Sequence, residues 1–105
     1  MNDKNRFSEL IADMQDIQKR KNAGYAGQDN VDPWANFRLA TLLGVPASVG
    51  CLVRMSDKFI RICNLIKNPK NEQVNESLKD TLIDLANYCL IAICLLEEEK
   101  DASIS

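Results

Sequence analysis

With 105 residues, 46% of them apolar and 27% charged, the chain has the balance of one globular domain. At this size about two-thirds of the unfolded surface is buried on folding. A formal net charge of −2 removes the electrostatic basis for binding a nucleic-acid polymer, and the absence of histidine removes histidine-based nucleophile chemistry.

Cys51, Cys63, Cys89 and Cys94 form no Cys-x-x-Cys pair, so neither a structural zinc site nor a disulfide framework is expected; each reads as a reduced core residue. The charged N-terminus has no secretory pattern. The longest apolar run, residues 88–96, is far shorter than the roughly 20 residues of a membrane span. A soluble, cytoplasmic protein with no membrane partner is expected.

Residues 5–21 set Phe7, Leu10, Ile11, Met14 and Ile17 at the 3-4 spacing of an apolar helical face. Opposite them, Glu9, Asp13, Asp16 and Arg20 read as a solvated face, with a metal site as the alternative. Residues 22–32 contain two glycines, two asparagines and two aspartates, which predicts a loop long enough to carry function. Tyr25, Trp34 and Phe37 in and after it are stacking platforms for a flat ligand, or pins that hold the loop to the core. Asp32-Pro33 reads as cap and first residue of a short helix that stops at Gly44.

Pro46 opens a long helix to about residue 67. Its expected core stripe is Leu52, Met55, Phe59, Ile62 and Ile66, and Arg54, Asp57, Lys58 and Arg61 form a second, polar stripe. Asn68-Pro69 breaks it. The last helix, from residue 71 to about 98, carries Val74, Leu78, Leu82, Leu85, Ile93 and Leu96 as its core face. Ile83, Ile91 and Leu95 widen that surface and read as an oligomer interface. Residues 99–105 are expected to be a flexible tail. No run alternates as a strand does, so the chain reads as a single all-α domain of three long helices and one short one, its core at about residues 5–98.

On the last helix Glu76, Asp80, Asp84 and Asn87 recur at steps of 4, 4 and 3, within roughly an 80° sector. Like charges at i,i+4 cost about 0.2–0.5 kcal/mol each, so such a column either faces water or is neutralised. The short break at 68–71 makes the two long helices antiparallel neighbours whose polar stripes can meet across a groove. Oxygen ligands without histidine or cysteine suit magnesium or manganese, and Arg54, Lys58 and Arg61 suit phosphates. Together these are a minimal kit for phosphoanhydride hydrolysis by an activated water, with no protein nucleophile.

Four segments, Lys21-Asn22-Ala-Gly-Tyr25, Asp32-Pro33-Trp34-Ala-Asn36-Phe37-Arg38, Val53-Arg54-Met55-Ser-Asp57-Lys58 and Glu76-Ser77-x-x-Asp80-Thr-Leu-x-Asp84-Leu-Ala-Asn87-Tyr88, resemble a phage and bacterial nucleotide-modification-associated family. That family is similar to the all-α, MazG-like nucleoside triphosphate pyrophosphohydrolases, and the resemblance spans roughly residues 5–98. It implies a helical homo-oligomer, dimer or tetramer, that uses Mg2+ or Mn2+ to split a nucleotide between its α- and β-phosphates. Carried over by position, Glu76, Asp80 and Asp84 hold metal, with Asp57 as a further ligand or water-positioning base. Lys21, Asn22, Tyr25, Trp34, Asn36, Phe37, Arg38, Arg54, Lys58, Arg61 and Asn87 contact the substrate. Arg54 stands where the MazG pattern has a glutamate, and Gly24 where the loop motif commonly has aspartate. The loss of two acids motivates the alternative, a non-catalytic protein that sequesters a nucleotide or a nucleotide-derived signal.

Overall fold

A computed structural model describes residues 3–25, 34–68 and 72–104, and every regular element among them is helical. In chain order they are α1 (Asp3–Tyr25), α2 (Ala35–Arg38), a 3₁₀ turn (Leu39–Leu43), α3 (Ala47–Lys67) and α4 (Glu72–Ile104). The chain divides into two compact units, Met1–Ala35 and Asn36–Ser105.

In the first unit, residues 22–25 continue α1 rather than entering a loop. Ala23 is the best of helix formers, and a single glycine at 24 costs only about 1 kcal/mol in a helix that already has its nucleus. Glu9, Asp13, Asp16 and Arg20 are all exposed, and Arg20 pairs with Asp16 at 2.9 Å, as a solvated face should. Asp32 and Pro33 lie outside the described residues, as do the side chains of residues 21–25.

The second unit begins with tight punctuation. Gly44 sits at φ +81°, where its N–H donates to Thr41 O at 3.1 Å and closes the 3₁₀ turn. Pro46, at φ −62°, then leads into α3. Both stops fall where the sequence places them. Among the described residues no single helix is long and apolar enough to cross a membrane; Ala35–Leu43 and Ala47–Lys67 reach that apolarity only together, across a 111° bend.

Contacts between α3 and α4 pair Ser48 with Glu99, Lys58 with Asp84 and Arg61 with Thr81, so the helices run antiparallel. The seam on α3 is Ser48, Cys51, Met55, Lys58, Ile62 and Leu65. Opposite it on α4 stand Thr81, Asp84, Tyr88, Ile91, Leu95 and Glu99, all of them buried or half-buried. This inverts part of the expected arrangement. Leu52, Phe59, Ile66, Leu82, Ile93 and Leu96, read as core, are exposed, whereas Ile91 and Leu95, read as surplus, are buried. Burial by apolarity alone ranks the wrong face first, because interlocking polar partners select the seam and turn the more apolar side outward. Val74 lies among the side chains that are not described.

Two further expectations change. Only Cys51 is fully in the core; Cys63 is half-buried, and Cys89 and Cys94 are exposed, all as free thiols. Burial pushes the Cys51 thiol up, and nearby Cys89 adds to the effect. The segment expected to be a loose tail is α-helical through Ile104, because Glu99 is anchored on the start of α3.

Gly50 brings α3 close to α2 and the 3₁₀ turn. A Cβ there would lie 2.9 Å from Phe37 O and 3.0 Å from the Ala40 Cβ. A backbone oxygen cannot step aside as a flexible side chain can. Gly50→Ala should therefore destabilise by about 1–2 kcal/mol in thermal or chemical unfolding, although Ala in an open helix position would gain about 1 kcal/mol.

Candidate functional site

The hairpin has two unlike broad faces. On α3, Arg54, Asp57 and Arg61 lie to one side of the seam, with Lys58 on its edge, and Val49, Leu52, Phe59 and Ile66 lie to the other. On α4, Glu76, Asp80 and Asn87 lie to one side, with Asp84 on the edge of the seam, and Leu82, Cys89, Ile93 and Leu96 lie to the other. Because the helices are antiparallel, the two charged sides share one face and the two apolar sides share the opposite one.

At the centre of the charged face, Lys58 Nζ stands 3.5 Å from Asp84 Oδ2, with the two side chains 28% and 26% exposed. The acidic column is thus neutralised at Asp84 by a base from across the seam. One turn along, Arg61 Nε donates to Thr81 Oγ1 at 3.3 Å, and that hydroxyl donates to Ser77 O at 2.7 Å. Lys58 also lies 5.8 Å from the centre of the Tyr88 ring, a cation–π distance. Phe37 meets the same ring edge-on, with centroids 5.6 Å apart and planes at 88°.

These contacts sort the expected residues. Phe37 is buried and packs as a pin rather than a platform. Arg38 pairs with Glu98 at 3.1 Å and ties α2 to the far end of α4. Asn36 is exposed and Trp34 half-buried. Arg54, Glu76 and Asp80 are exposed on the charged face, and Asn87 is buried beside them. Asp57 does not join the acids of α4. It lines a groove along the outer flank of α3 with Ile60, Arg61, Asn64, Leu65 and Asn68.

The donor chemistry fits magnesium only in part. Among the described residues no three Asp, Glu, Cys or His side chains converge on one point. Glu76 and Asp80, exposed and one turn apart, match an ion that keeps several waters and bridges to phosphate oxygens. Asp84 adds to them only by leaving Lys58.

Thr81 and Tyr88 organise this face and were missed by sequence reasoning, which weighed charge and not the groups that orient it. A hydroxyl beside Asp80 in an apolar run, and an aromatic four residues after Asp84, were the available signals.

Residues 49–96 match the family model described as nucleotide modification associated domain 1. The match covers most of α3 and of α4, including Arg54 through Asn87, and does not reach the Lys21–Tyr25 and Trp34–Arg38 segments. No curated protein and no solved structure matches the chain.

Proposed function

We propose that the charged face of the α3–α4 hairpin binds the phosphates of a nucleoside triphosphate, and that the chain is a MazG-like, homo-oligomeric pyrophosphohydrolase of phage-type nucleotide metabolism. The observation that carries this reading is the Lys58–Asp84 pair, which places base and acid together within the stretch similar to a nucleotide-associated family. In this reading Lys58, Arg61 and the exposed Arg54 hold phosphate oxygens. Arg61 is aimed by Thr81, so its guanidinium loses little freedom on binding. Glu76, Asp80 and Asp84 would hold magnesium, which when bound polarises the phosphoanhydride and lowers the pKa of a coordinated water. Asp57, on the outer flank of α3, would act only through a water or a movement of the bound phosphates.

The test is to incubate pure protein with a nucleotide panel and magnesium or manganese, then to separate nucleotides and pyrophosphate by chromatography. Monophosphate and pyrophosphate in equal amounts support the proposal, and unchanged triphosphates with every metal refute it. Lys58→Ala should weaken binding of a non-hydrolysable triphosphate by about tenfold or more in calorimetry, the worth of one charge-assisted hydrogen bond.

A second reading, sequestration without turnover, is favoured by the absence of three converging metal ligands among the described residues. It requires that the nucleotide be recovered intact after the protein is denatured.

A further inference from the structure

Asp57, which the hydrolytic reading leaves without a direct contact, stands at the head of a second polar line on α3. Asp57, Arg61, Asn64 and Asn68 recur at steps of 4, 3 and 4, within a sector of roughly 60°. Ile60 and Leu65 flank that line on either side, and the six side chains line a groove of about 390 Å³. That is the size of a small-molecule site, with a few polar groups set between apolar ones. Among the described residues Asp57, Asn64 and Asn68 put no side chain into an ion pair or a hydrogen bond, whereas Lys58, Arg61 and Asp84 do.

The lining narrows the ligand to a flat, polar ring. A carboxylate only accepts hydrogen bonds and can take two in parallel, whereas a carboxamide both donates and accepts. Among the common nucleobases guanine alone carries two adjacent N–H donors on one edge, at N1 and N2, while its O6 and N7 only accept. Adenine, cytosine, thymine and uracil would each turn a lone pair of a ring nitrogen or carbonyl on the same carboxylate. Ile60 and Leu65 add aliphatic contact beside the ring. Arg61, its Nε held on Thr81 at 3.3 Å, belongs to both the groove and the charged face. Lys58 and Asn64 are about 9 Å apart along the helix axis, within the span of one nucleotide.

We infer that this groove is the base subsite for the nucleotide whose phosphates lie on the charged face, and that it selects guanine. Asp57 accepts from N1–H and N2–H, and the amides of Asn64 and Asn68 donate to O6 and N7. Asp57 is then a specificity residue, which accounts for its place on the outer flank of α3, away from the acids of α4.

Base selection in the groove rests on the proposed nucleotide reading, and one experiment separates the two. Calorimetry uses the full chain with magnesium and non-hydrolysable triphosphates that differ only in the base. Wild type should bind the guanine analogue about tenfold or more tighter than the hypoxanthine one, which lacks only the 2-amino group. Asp57→Asn, isosteric and at an exposed position, should lose that preference and bind the xanthine analogue instead. Its amide donates to the O2 that a carboxylate repels. Asn64→Ala should weaken the guanine and hypoxanthine analogues alike, since both keep O6 and N7. Equal binding of all the bases, another order of preference, or a preference that survives Asp57→Asn overturns the groove and leaves the phosphate site standing. If no triphosphate binds, both fall.

Discussion

Asp84→Ala is expected to abolish pyrophosphate release while leaving triphosphate binding intact or tighter. The carboxylate has two prospective partners: Lys58, which it meets at 3.5 Å, and the metal of the hydrolytic reading. In the hydrolytic reading its removal takes away one oxygen ligand where, among the described residues, no three acids converge, so the remaining pair would hold an ion less well. It also frees Lys58, whose ammonium no longer has to leave a carboxylate before meeting a phosphate. Turnover and affinity should therefore move in different directions. Turnover is read as pyrophosphate released, and affinity by calorimetry with a non-hydrolysable analogue. Loss of both together, with the fold intact by circular dichroism, would mean that Asp84 holds the site in shape rather than serving it. No change in either would return the column to a plain solvated face.

The residues that terminate helices were legible because their reasons are local. Gly44 adopts the left-handed conformation that a side chain resists, and Pro46 has φ fixed by its ring. The meeting of the two polar stripes was legible for a similar reason: a short break forces antiparallel neighbours, and Lys58 and Asp84 then have opposite charges on facing positions. What could not be read was which apolar stripe faces inward. Both helices carry two, and the choice depends on partners 20 to 51 positions apart: Arg61 with Thr81, Lys58 with Asp84, Ser48 with Glu99. Asp57 shows the same limit at the site. It neighbours Lys58 in sequence, yet successive helical residues point about 100° apart, and that turn carries it away from α4.

The polar seam also explains why so apolar an outer face persists in one chain. Were Leu52, Phe59, Leu82 and Ile93 turned inward, Lys58, Asp84 and Ser48 would each leave a paired position for water. The exchange gains apolar burial but loses a set of specific contacts that fixes a single register.

Glu99→Ala should be the most destabilising surface-to-seam substitution in the chain, by about 2–3 kcal/mol. Ser48 is 2% exposed and lies in the first turn of α3, whose cap residue, Pro46, offers no side-chain acceptor. Glu99, from 51 positions away, fills that role: its Oε2 accepts the Ser48 N–H at 3.0 Å and its Oε1 accepts the Ser48 hydroxyl. Alanine would leave two buried donors unsatisfied, at about 1–3 kcal/mol each before relaxation, and would remove a negative charge from a helix N-terminus. At about 4–8 °C per kcal/mol for a domain of this size, the melting temperature should fall by roughly 10 °C or more. Glu99→Gln keeps one acceptor and should lose about half as much. Glu98→Ala, one residue away, breaks only the half-exposed pair with Arg38 and should cost under about 1 kcal/mol. If Glu98→Ala and Glu99→Ala melt together, the carboxylate at 99 is not the cap of α3. If they separate as expected, the end of α4 is a structural part of the hairpin, because the N-terminus of the facing helix depends on it.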